Sequence, residues 1–519
     1  MPQLVPTCVL VILFLHTFGC TSSFAAQDGD SVANTTLTLM VTFHDSCNSS
    51  ESTQQALRRS LSVSLQRGSR GGSLKASGTD NATVSMQVVS TKIASYEAYA
   101  TTQFSVSFPG ENEGVDGGLG VPSRCLVSDE TLNRVGVDII KLTDCPLLGS
   151  GELKLAFEQD PCVDSVEFDQ TVKIIDEQEH FLGNTDAYHL DAAAGDDGGR
   201  RDRSRPLEEP YWRTIAGFDE AYPLAECLRS EVVAVIDTGV AYNHPLLRKN
   251  MWKNPGEIPG NGVDDDDNGF VDDAYGFNFV DNDGDISDDN GHGTHCAGII
   301  GGLKDSETGA QGVCGTTSIA GLKFMGGNGS GVTSDAVKAV NYCIQMGIRI
   351  SNNSWGGPGK TAALEKAVRK SNEAGHIFIA AAGNAGQNID RSPSYPASYA
   401  SPNIVAVAAT DSSDSMASFS NIGARTVHVA APGVAVLSTY PPDGFKKLSG
   451  TSMASPVVAG LAALLVSLPF HDHLQIKTAI MEGVDKVPAC QGKVISGGRV
   501  NAANSIVWLA EQLGLQKLR

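Results

Sequence analysis

The chain has 519 residues, of which 41% are hydrophobic and 56 are glycine, so it is predicted to be a folded, loop-rich α/β protein with two domains. With 38 Lys and Arg against 59 Asp and Glu, the net charge is −21. This charge argues against nucleic acid as a partner, because phosphate contacts need cationic side chains, and it suits an exported protein or one that binds cations.

Residues 1–25 are predicted to be a secretory signal peptide. The apolar run at residues 8–15 is too short to span a bilayer, and the small residues Ser23 and Ala25 follow it. A lipoprotein site at Cys20 is the weaker alternative. The later apolar runs that approach membrane length contain Gly or Pro, so no membrane anchor is predicted. We expect the protein to be secreted or held in an organelle of the secretory pathway.

Cysteines and glycosylation sequons fit this oxidising compartment. Four cysteines lie between the signal region and residue 200, and five follow residue 200. The even set suits disulfides, while the odd set predicts at least one free thiol, whose best candidate is Cys296. Asn-X-Ser/Thr sequons permit glycosylation at Asn34, Asn48, Asn81, Asn328 and Asn352.

Residues 26–176 are predicted to form a small α+β domain. Strand-like runs alternate with a helical stretch near residues 54–64, and an edge strand is expected after Asp160-Pro161. Between residues 177 and 207 the chain becomes rich in Gly, Asp and Arg and cannot form a core. This segment is predicted to be an exposed linker that is open to proteolysis, for example at Arg200-Arg201.

Residues 208–519 are predicted to form an α/β domain with a doubly wound parallel sheet. Continuous apolar strand-like runs occur at Val232–Asp237, Ser318–Phe324, Ile348–Asn352, Ile377–Ala382 and Ile404–Ala409. Helical stretches occur at His292–Gly302, Ser334–Met346 and Thr361–Glu373. This alternation is typical of a parallel sheet covered on both faces, in which chemistry takes place at the carboxyl ends of the strands.

The first chemistry-bearing residue of this domain is Asp237, which ends a buried strand in the sequence Asp-Thr-Gly. On its own, such an Asp is more often a loop cap. A helix then opens at Asn290-Gly-His-Gly-Thr-His-Cys, with His292 in its first turn. His292 and His295 could instead hold zinc, but the segment lacks the Glu of a metallopeptidase helix.

An acidic segment between these two motifs predicts a calcium site. Oxygen ligands at alternate positions, followed by Gly269, resemble the front of an EF-hand loop. Tyr275 stands where the closing Glu would be, so further ligands must come from elsewhere, such as Asp273. The predicted ligands are Asp264, Asp266, Asn268 and Asp272. A weaker repeat follows at residues 281–285, and a merely solvated acidic loop is the alternative for both runs.

Near the C-terminus, Gly450-Thr-Ser-Met-Ala-Ser-Pro456 leads into an apolar helix. Pro456 is expected in the first turn, where no N–H is needed, and Ser452 is expected at the mouth of the helix. Such a serine is either a helix cap or a nucleophile beside unpaired N–H groups. Asn384 ends another strand after a glycine and is a turn former or a donor to an oxyanion.

Asp-Thr-Gly-Val, His-Gly-Thr-His-Cys-Ala-Gly and Gly-Thr-Ser-Met-Ala-Ser-Pro, in this order, resemble the motifs of subtilisin-like serine proteases. The resemblance covers about residues 208–505. It implies that Ser452 is the nucleophile, that His292 is the general base and then acid, and that Asp237 orients the imidazole. It also implies that Asn384 donates to the oxyanion. The capping interpretation of Ser452 is then disfavoured.

The resemblance also implies a substrate site and a propeptide. Ser354, Trp355 and Gly356 are assigned to a strand that pairs with extended substrate and forms one wall of the S1 pocket. Ala382 and Gly383 are assigned to the opposite wall, and Ser394 to the floor of a pocket without a fixed charge. Trp355 could equally be a core residue. Residues 153–169 resemble the end of a ferredoxin-like inhibitor propeptide whose tail lies in the active site, which implies self-cleavage within about residues 172–180.

Together these features predict a secreted, calcium-stabilised serine endopeptidase, made as a self-processing zymogen. Its expected partners are polypeptide substrates and its own propeptide, and we expect a monomer. The alternative from another class is a catalytically silent binding or regulatory protein on the same scaffold. An esterase is disfavoured because the chain lacks the GxSxG nucleophile elbow.

Overall fold

The computed structural model describes residues 36–43, 85–93, 99–107, 124–132, 137–143, 163–175, 210–469 and 472–515. The predicted signal peptide, the helix expected at residues 54–64 and the linker lie outside these residues. So do the sequons at Asn34, Asn48 and Asn81 and the possible trimming site at Arg200-Arg201.

The N-terminal region forms a six-stranded antiparallel sheet. Its strands are β1 (Thr36–Phe43), β2 (Ser85–Ile93), β3 (Tyr99–Ser107), β4 (Arg124–Leu132), β5 (Val137–Thr143) and β6 (Val163–Phe168). They are arranged in the order β2-β3-β4-β5-β1-β6, so β6 is the predicted edge strand. The helical part of the predicted ferredoxin-like arrangement lies outside the described residues, and that arrangement stays a prediction.

The larger region is built on a nine-stranded sheet, ordered β19-β20-β16-β15-β14-β12-β8-β10-β9. Its strands are β8 (Val232–Asp237), β9 (Gly276–Asn278), β10 (Ser318–Lys323), β12 (Ile350–Asn353), β14 (Ile377–Ala381), β15 (Ile404–Thr410), β16 (Val429–Pro432), β19 (Asp485–Lys486) and β20 (Gly498–Arg499). The pairs are parallel except β19 with β20. The predicted doubly wound α/β fold is confirmed.

Helices cover both faces of this sheet. They are α1 (Tyr211–Ile215), α2 (Phe218–Ala221), α3 (His292–Gly301), α4 (Thr333–Gln345), α5 (Ala362–Glu373), α6 (Thr451–Val466), α7 (His473–Glu482) and α8 (Ala502–Gln512). Alternate residues of the strands enter two separate cores: Val233 packs in the core with α3 and α6, and Ala234 in the core with α4 and α5. Burial on both faces explains why these strands are continuous apolar runs.

Two smaller sheets complete the described structure. Strands β17 (Val436–Tyr440) and β18 (Gly444–Leu448) form a hairpin. Strand β7 (Thr171–Ile174), which follows the N-terminal sheet, lies between β11 (Ser330–Val332) and β13 (Trp355–Gly356) and is antiparallel to both. The end of the first region is therefore inserted as a strand into the second.

The cysteines of the larger region give one disulfide, Cys227–Cys314. Cys296, Cys343 and Cys490 are buried thiols outside this disulfide, which agrees with the prediction that at least one cysteine of this region is not in a disulfide. Asn352 is fully buried, so its sequon is closed to glycosylation in the folded chain, whereas Asn328 is exposed. Within the described part of the chain, no helix has the length and apolarity to cross a membrane.

Candidate active site

Asp237 and His292 meet in the interior of the larger region. His292 Nδ1 lies 2.7 Å from Asp237 Oδ1, and both side chains are almost completely buried. The same carboxylate oxygen accepts the Thr238 N–H at 2.8 Å. Because an ionised carboxylate only accepts, the imidazole proton belongs on Nδ1, and a neutral His292 therefore presents Nε2 as its basic nitrogen.

Glycine allows this close meeting of strand and helix. His292 is the first residue of α3, as the sequence predicts. A Cβ on Gly293 would lie 2.1 Å from the Gly239 carbonyl oxygen and 3.1 Å from Asp237 Cβ. Any larger residue would push the helix away from the strand and separate Asp237 from His292.

The alternative of a zinc pair is not supported by the position of His295. Its Nε2 lies 2.9 Å from the Lys446 carbonyl oxygen, and burial lowers the pKa of His295 to about 3. Its imidazole is therefore a neutral donor to the β17–β18 hairpin. His292 is engaged by Asp237 instead, so the two histidines serve different contacts.

Ser452 lies within the first turn of α6, which begins at Thr451. Pro456 is thus inside the helix, and its expected place in the first turn is wrong, because the helix starts earlier than the apolar run suggests. A residue at 456 would normally donate its N–H to the Ser452 carbonyl. Instead that carbonyl accepts from Ser354 Oγ at 3.0 Å and Cys296 Sγ at 3.5 Å. Pro456 therefore leaves the Ser452 carbonyl open to these two contacts.

Cys296 also connects helices α3 and α6. It lies one turn after His292 on α3, and its Sγ is within 4.8 Å of side-chain atoms of both Asp237 and His292. Its contact with the Ser452 carbonyl brings the first turn of α6 to this same place. The structure thus brings the three predicted residues Asp237, His292 and Ser452 together, although they are separated by up to 215 positions in the chain, counted as 452 − 237.

Asn384 is held beside Ser452 by its neighbour Thr451. The Thr451 N–H and hydroxyl both lie 2.9 Å from Asn384 Oδ1. A backbone N–H can only donate, so the oxygen of the amide faces Thr451 and the NH₂ group faces the other way. A Cβ on Gly450 would lie 2.9 Å from that nitrogen, which explains the glycine at this position. The Ser452 N–H, in the first turn of α6, has no acceptor within its own helix.

The strand β7 ends at this cluster. The Ile175 N–H lies 3.5 Å from the Ser354 carbonyl oxygen, and the Ile175 carbonyl oxygen lies 3.5 Å from Ser452 Oγ. Val172 and Ile175 are buried. The chain itself therefore places one peptide carbonyl, directly after strand β7, next to the Ser452 hydroxyl.

Of the residues assigned to the S1 pocket, Ser354, Trp355 and Gly356 contact the end of this strand. Trp355 and Gly356 pair through their backbones with β7, while the Trp355 side chain is buried against Phe324, with ring centroids 4.9 Å apart. Trp355 is therefore both a strand residue and a core residue. Cβ atoms built on Gly356 and Gly383 would lie 3.7 and 3.6 Å from Ser394 Oγ.

The Ser394 hydroxyl consequently lies between the two glycine walls, and Ala382, beside Gly383, is buried. The hydroxyl is neutral, and the hydrogen bonds of the described residues place no charged side chain on it.

The carboxylates of the acidic segment fall into two groups, those that bind the backbone of the loop and those that converge on one another. Asp264 accepts the N–H groups of Asn268 and Gly269, both at 3.0 Å. Asp272 accepts three N–H groups, those of residues 260–262, at 2.8 to 3.0 Å. These two predicted ligands thus shape the loop through its backbone.

The carboxylates that converge are Asp266, Asp273 and Glu257, whose oxygens lie within 4.8 Å of one another. Asn268 donates to Asp273 at 2.9 Å. Glu257 and Asp273 are buried, and burial raises the pKa of Glu257 to about 7 and that of Asp273 to about 6. Glu257 Oε2 is buried without a hydrogen-bond donor in the described structure. Three clustered carboxylates with one unsatisfied oxygen suit a hard divalent cation such as Ca²⁺.

Glu257 is the residue of this cluster that sequence reasoning missed. It precedes the alternating acidic pattern by seven positions, counted as 264 − 257, and reaches the cluster through a turn. Its neighbours, Pro255, Gly256 and Ile258, carry no metal-ligand pattern, so no local signal could have found it.

Comparison with known proteins gives a family match and several relatives. Residues 229–495 match the model of the "Subtilase family". The chain is 38% identical over 290 residues to the "Thermophilic serine proteinase" of Bacillus sp. (strain AK1), covering 56% of this chain and 65% of that protein. It is 37% identical over 287 residues to "Thermitase" of Thermoactinomyces vulgaris, covering 55% of this chain and 92% of that protein.

A further relative is "Subtilisin-like protease 1" of Plasmodium vivax, which is 34% identical over 313 residues. This similarity covers 56% of the present chain and 50% of the relative. The chain thus spans between half and nearly all of the length of these three relatives. All three similarities cover little more than half of this chain.

Proposed function

The chain belongs to the subtilase family, and we propose that it is a serine endopeptidase whose catalytic residues are Asp237, His292 and Ser452. The observation that carries the proposal is the position of the Ile175 carbonyl, 3.5 Å from Ser452 Oγ, at the end of a strand paired as a substrate would be. The buried Asp237–His292 contact of 2.7 Å and the family match support it.

The proposed reaction follows from these positions. Ser452 Oγ attacks the scissile carbonyl carbon while its proton passes to His292 Nε2. The Asp237 carboxylate holds Nδ1–H and stabilises the imidazolium. The Asn384 NH₂ group and the Ser452 N–H bind the tetrahedral oxyanion. His292 then gives the proton to the leaving amine, and water hydrolyses the acyl-enzyme by the same steps in reverse.

The protein is further proposed to be a zymogen that cuts itself after Ile175. Thr171–Ile174 occupies the strand position of a substrate, and the Ile175 carbonyl follows next to the Ser452 hydroxyl. The position agrees with the predicted cleavage range of residues 172–180. Until residues 26–175 leave, the same strand blocks entry of other polypeptides. Export through the secretory pathway as a monomer completes this proposal.

A stabilising Ca²⁺ is proposed at the cluster of Glu257, Asp266 and Asp273. Their converging oxygens and the unsatisfied Glu257 Oε2 support this site. Bound there, the ion would supply positive charge to three carboxylates that otherwise repel one another. Asp264, Asn268 and Asp272 would then act chiefly by shaping the loop, through the hydrogen bonds described above.

The test of the catalytic proposal is covalent labelling with a fluorophosphonate. The self-processed wild type should be labelled at Ser452, and Ser452→Ala should lose the label. Ser467→Ala, at the far end of the same helix, is the matched control and should be labelled like the wild type. A wild-type protein that has lost its N-terminal region and still takes no label would indicate a catalytically silent protein instead.

A further inference from the structure

One carboxylate outside the proposed triad collects an unusual number of donors. Asp288, in the loop before α3, accepts the Thr238 hydroxyl at 2.9 Å and the N–H groups of Asn290 and Gly291 at 3.0 and 2.8 Å. Its second oxygen accepts the N–H and the hydroxyl of Thr294 at 2.9 and 2.6 Å. Both oxygens are therefore fully used by groups of fixed position.

These donors come from the two elements that carry Asp237 and His292. Asn290 and Gly291 directly precede α3 and Thr294 lies in its first turn, whereas Thr238 directly follows Asp237 at the end of β8. The Thr294 hydroxyl also accepts the Ala241 N–H at 2.9 Å. A simple helix cap would contact only its own helix. Asp288 instead fastens the helix to the loop that follows the strand.

Thr238 connects Asp288 to Asp237 and to the backbone beside His292. Its N–H donates to Asp237 Oδ1 at 2.8 Å, the same atom that His292 Nδ1 contacts. Its hydroxyl oxygen accepts the Gly293 N–H at 3.0 Å while the hydroxyl proton goes to Asp288. The orientation of the Asp237 carboxylate and the position of the His292 backbone thus depend on the same threonine.

A buried lysine fixes Thr238 from the other side. Lys323 Nζ lies 2.6 Å from the Thr238 carbonyl oxygen, 3.1 Å from the Met325 carbonyl oxygen and 2.6 Å from Asp289 Oδ1. The Lys323 side chain is only 5% exposed, whereas that of Asp289 is 60% exposed. Asp289 therefore reaches Thr238 only through Lys323, which makes it a suitable comparison for its neighbour Asp288.

We propose that Asp288 is a positioning residue that sets the geometry of the Asp237–His292 pair. This inference rests on the proposed function, since it concerns the rate of the same reaction. Removing the Asp288 charge should lower the pKa of His292, because a nearby anion stabilises the imidazolium. It should also loosen the orientation of the Asp237 carboxylate. Both effects act on the chemical step and not on the strands that bind substrate.

The test compares Asp288→Asn with Asp289→Asn in the full-length chain after self-processing. Activity is measured on a quenched fluorescent peptide with the sequence of residues 170–180, and kcat is normalised by fluorophosphonate titration of active sites. Asp288→Asn should lower kcat by about 10- to 100-fold, with KM nearly unchanged. The apparent pKa of its kcat/KM profile should fall. Asp289→Asn should show a smaller loss and a smaller shift.

A second pair of variants covers the case in which Asp288→Asn does not fold. Thr238→Val removes the hydroxyl that joins Asp288 to the pair and should lower the normalised kcat in the same direction. Thr238→Ser retains the hydroxyl and should recover most of the activity. A loss in Thr238→Val that Thr238→Ser does not recover would count against the inference.

The failure of the inference and the failure of the proposed function give different results. If the wild type cleaves the peptide and Asp288→Asn keeps the wild-type kcat and pH profile per titrated site, Asp288 has only a structural role and the inference is overturned. If the processed wild type neither cleaves nor takes the label, the proposed function itself is wrong.

Discussion

The amide of Asn384 shows how single residues specify the proposed chemistry. Two contacts from Thr451 fix its oxygen, so its NH₂ group is directed away from Thr451, beside Gly450. A donor held in this way costs no reorganisation when negative charge develops in the transition state. The same side chain in a mobile loop would not offer this advantage.

Asn384→Ala is therefore expected to lower kcat by about 100- to 1,000-fold, with little change in KM, because the lost hydrogen bond forms mainly in the transition state. The measurement is the steady-state cleavage of the peptide of residues 170–180. Asn388→Ala, an exposed amide four positions on, is the matched control and should resemble the wild type. Equal kcat values for Asn384→Ala and the wild type would remove Asn384 from the oxyanion site.

Functional residues could be predicted from the sequence where a local motif indicates the strand or helix end on which they lie. Asp237 at a strand end and His292 at a helix start were of this kind. Glu257 was not, because its partners Asp266 and Asp273 become neighbours only after the loop folds. Pro456 was misplaced for a related reason, because the Ser452 carbonyl that its missing N–H leaves open is contacted by Ser354, which is distant in the sequence.

Two helices of the larger region begin at carboxylates of the N-terminal region. Glu167 Oε2 accepts the N–H groups of Ala362 and Ala363 at the start of α5, at 2.7 and 3.1 Å. Asp169 Oδ1 accepts the Ser334 N–H at the start of α4, at 2.9 Å. Carboxylates at helix N-termini are favourable because they accept unpaired N–H groups. Burial acts in the opposite direction and raises the pKa of Asp169. These contacts hold β7 in place from its N-terminal side.

The combined variant Glu167→Gln, Asp169→Asn should therefore release the cleaved N-terminal region faster. A combined loss of about 1.4 kcal/mol in the two caps would weaken retention roughly tenfold. The measurement is the time between the first cleavage, followed by mass spectrometry, and the appearance of peptide-cleaving activity. Asp164→Asn, which removes a charge from an exposed position of β6, the strand that contains Glu167, is the control. A delay equal to that of the wild type would show that the caps contribute nothing to retention.

Elements were predictable when their own sequence carried the pattern. The run at Val232–Asp237 was predicted with its observed bounds because both faces of the strand are buried. Strand β11 was not predicted and β13 was expected only from the family resemblance, since each owes its structure to pairing with β7. Such strands form only by pairing with a segment that is distant in the sequence.

The stability of the whole molecule depends on the charge of the cluster of Glu257, Asp266 and Asp273, whose carboxylates lie within 4.8 Å of one another. The folded-state pKa values of Glu257 and Asp273, about 7 and about 6, lie above their ordinary values. Without a cation, these two carboxyl groups therefore bind more protons in the folded protein than in the unfolded chain over this range. Their contribution to the stability must then fall as the pH rises through these values.

Calcium should remove this loss, since it binds the ionised carboxylates. We expect the difference in Tm between excess Ca²⁺ and excess EDTA to be small near pH 5 and larger near pH 8. Glu257→Gln should reduce the difference near pH 8, whereas Glu307→Gln, at an exposed position, should retain it. A Tm that does not respond to EDTA at either pH would rule out the proposed site.

The central claim, that Ser452 cuts the chain after Ile175, has one direct test. The wild type, Ser452→Ala and Ser467→Ala are purified under denaturing conditions, refolded in Ca²⁺ and analysed by N-terminal sequencing and intact mass. The wild type and Ser467→Ala should yield a new N-terminus at Asp176, and Ser452→Ala should remain whole. Cleavage of Ser452→Ala at the same bond, at the wild-type rate, would contradict the account.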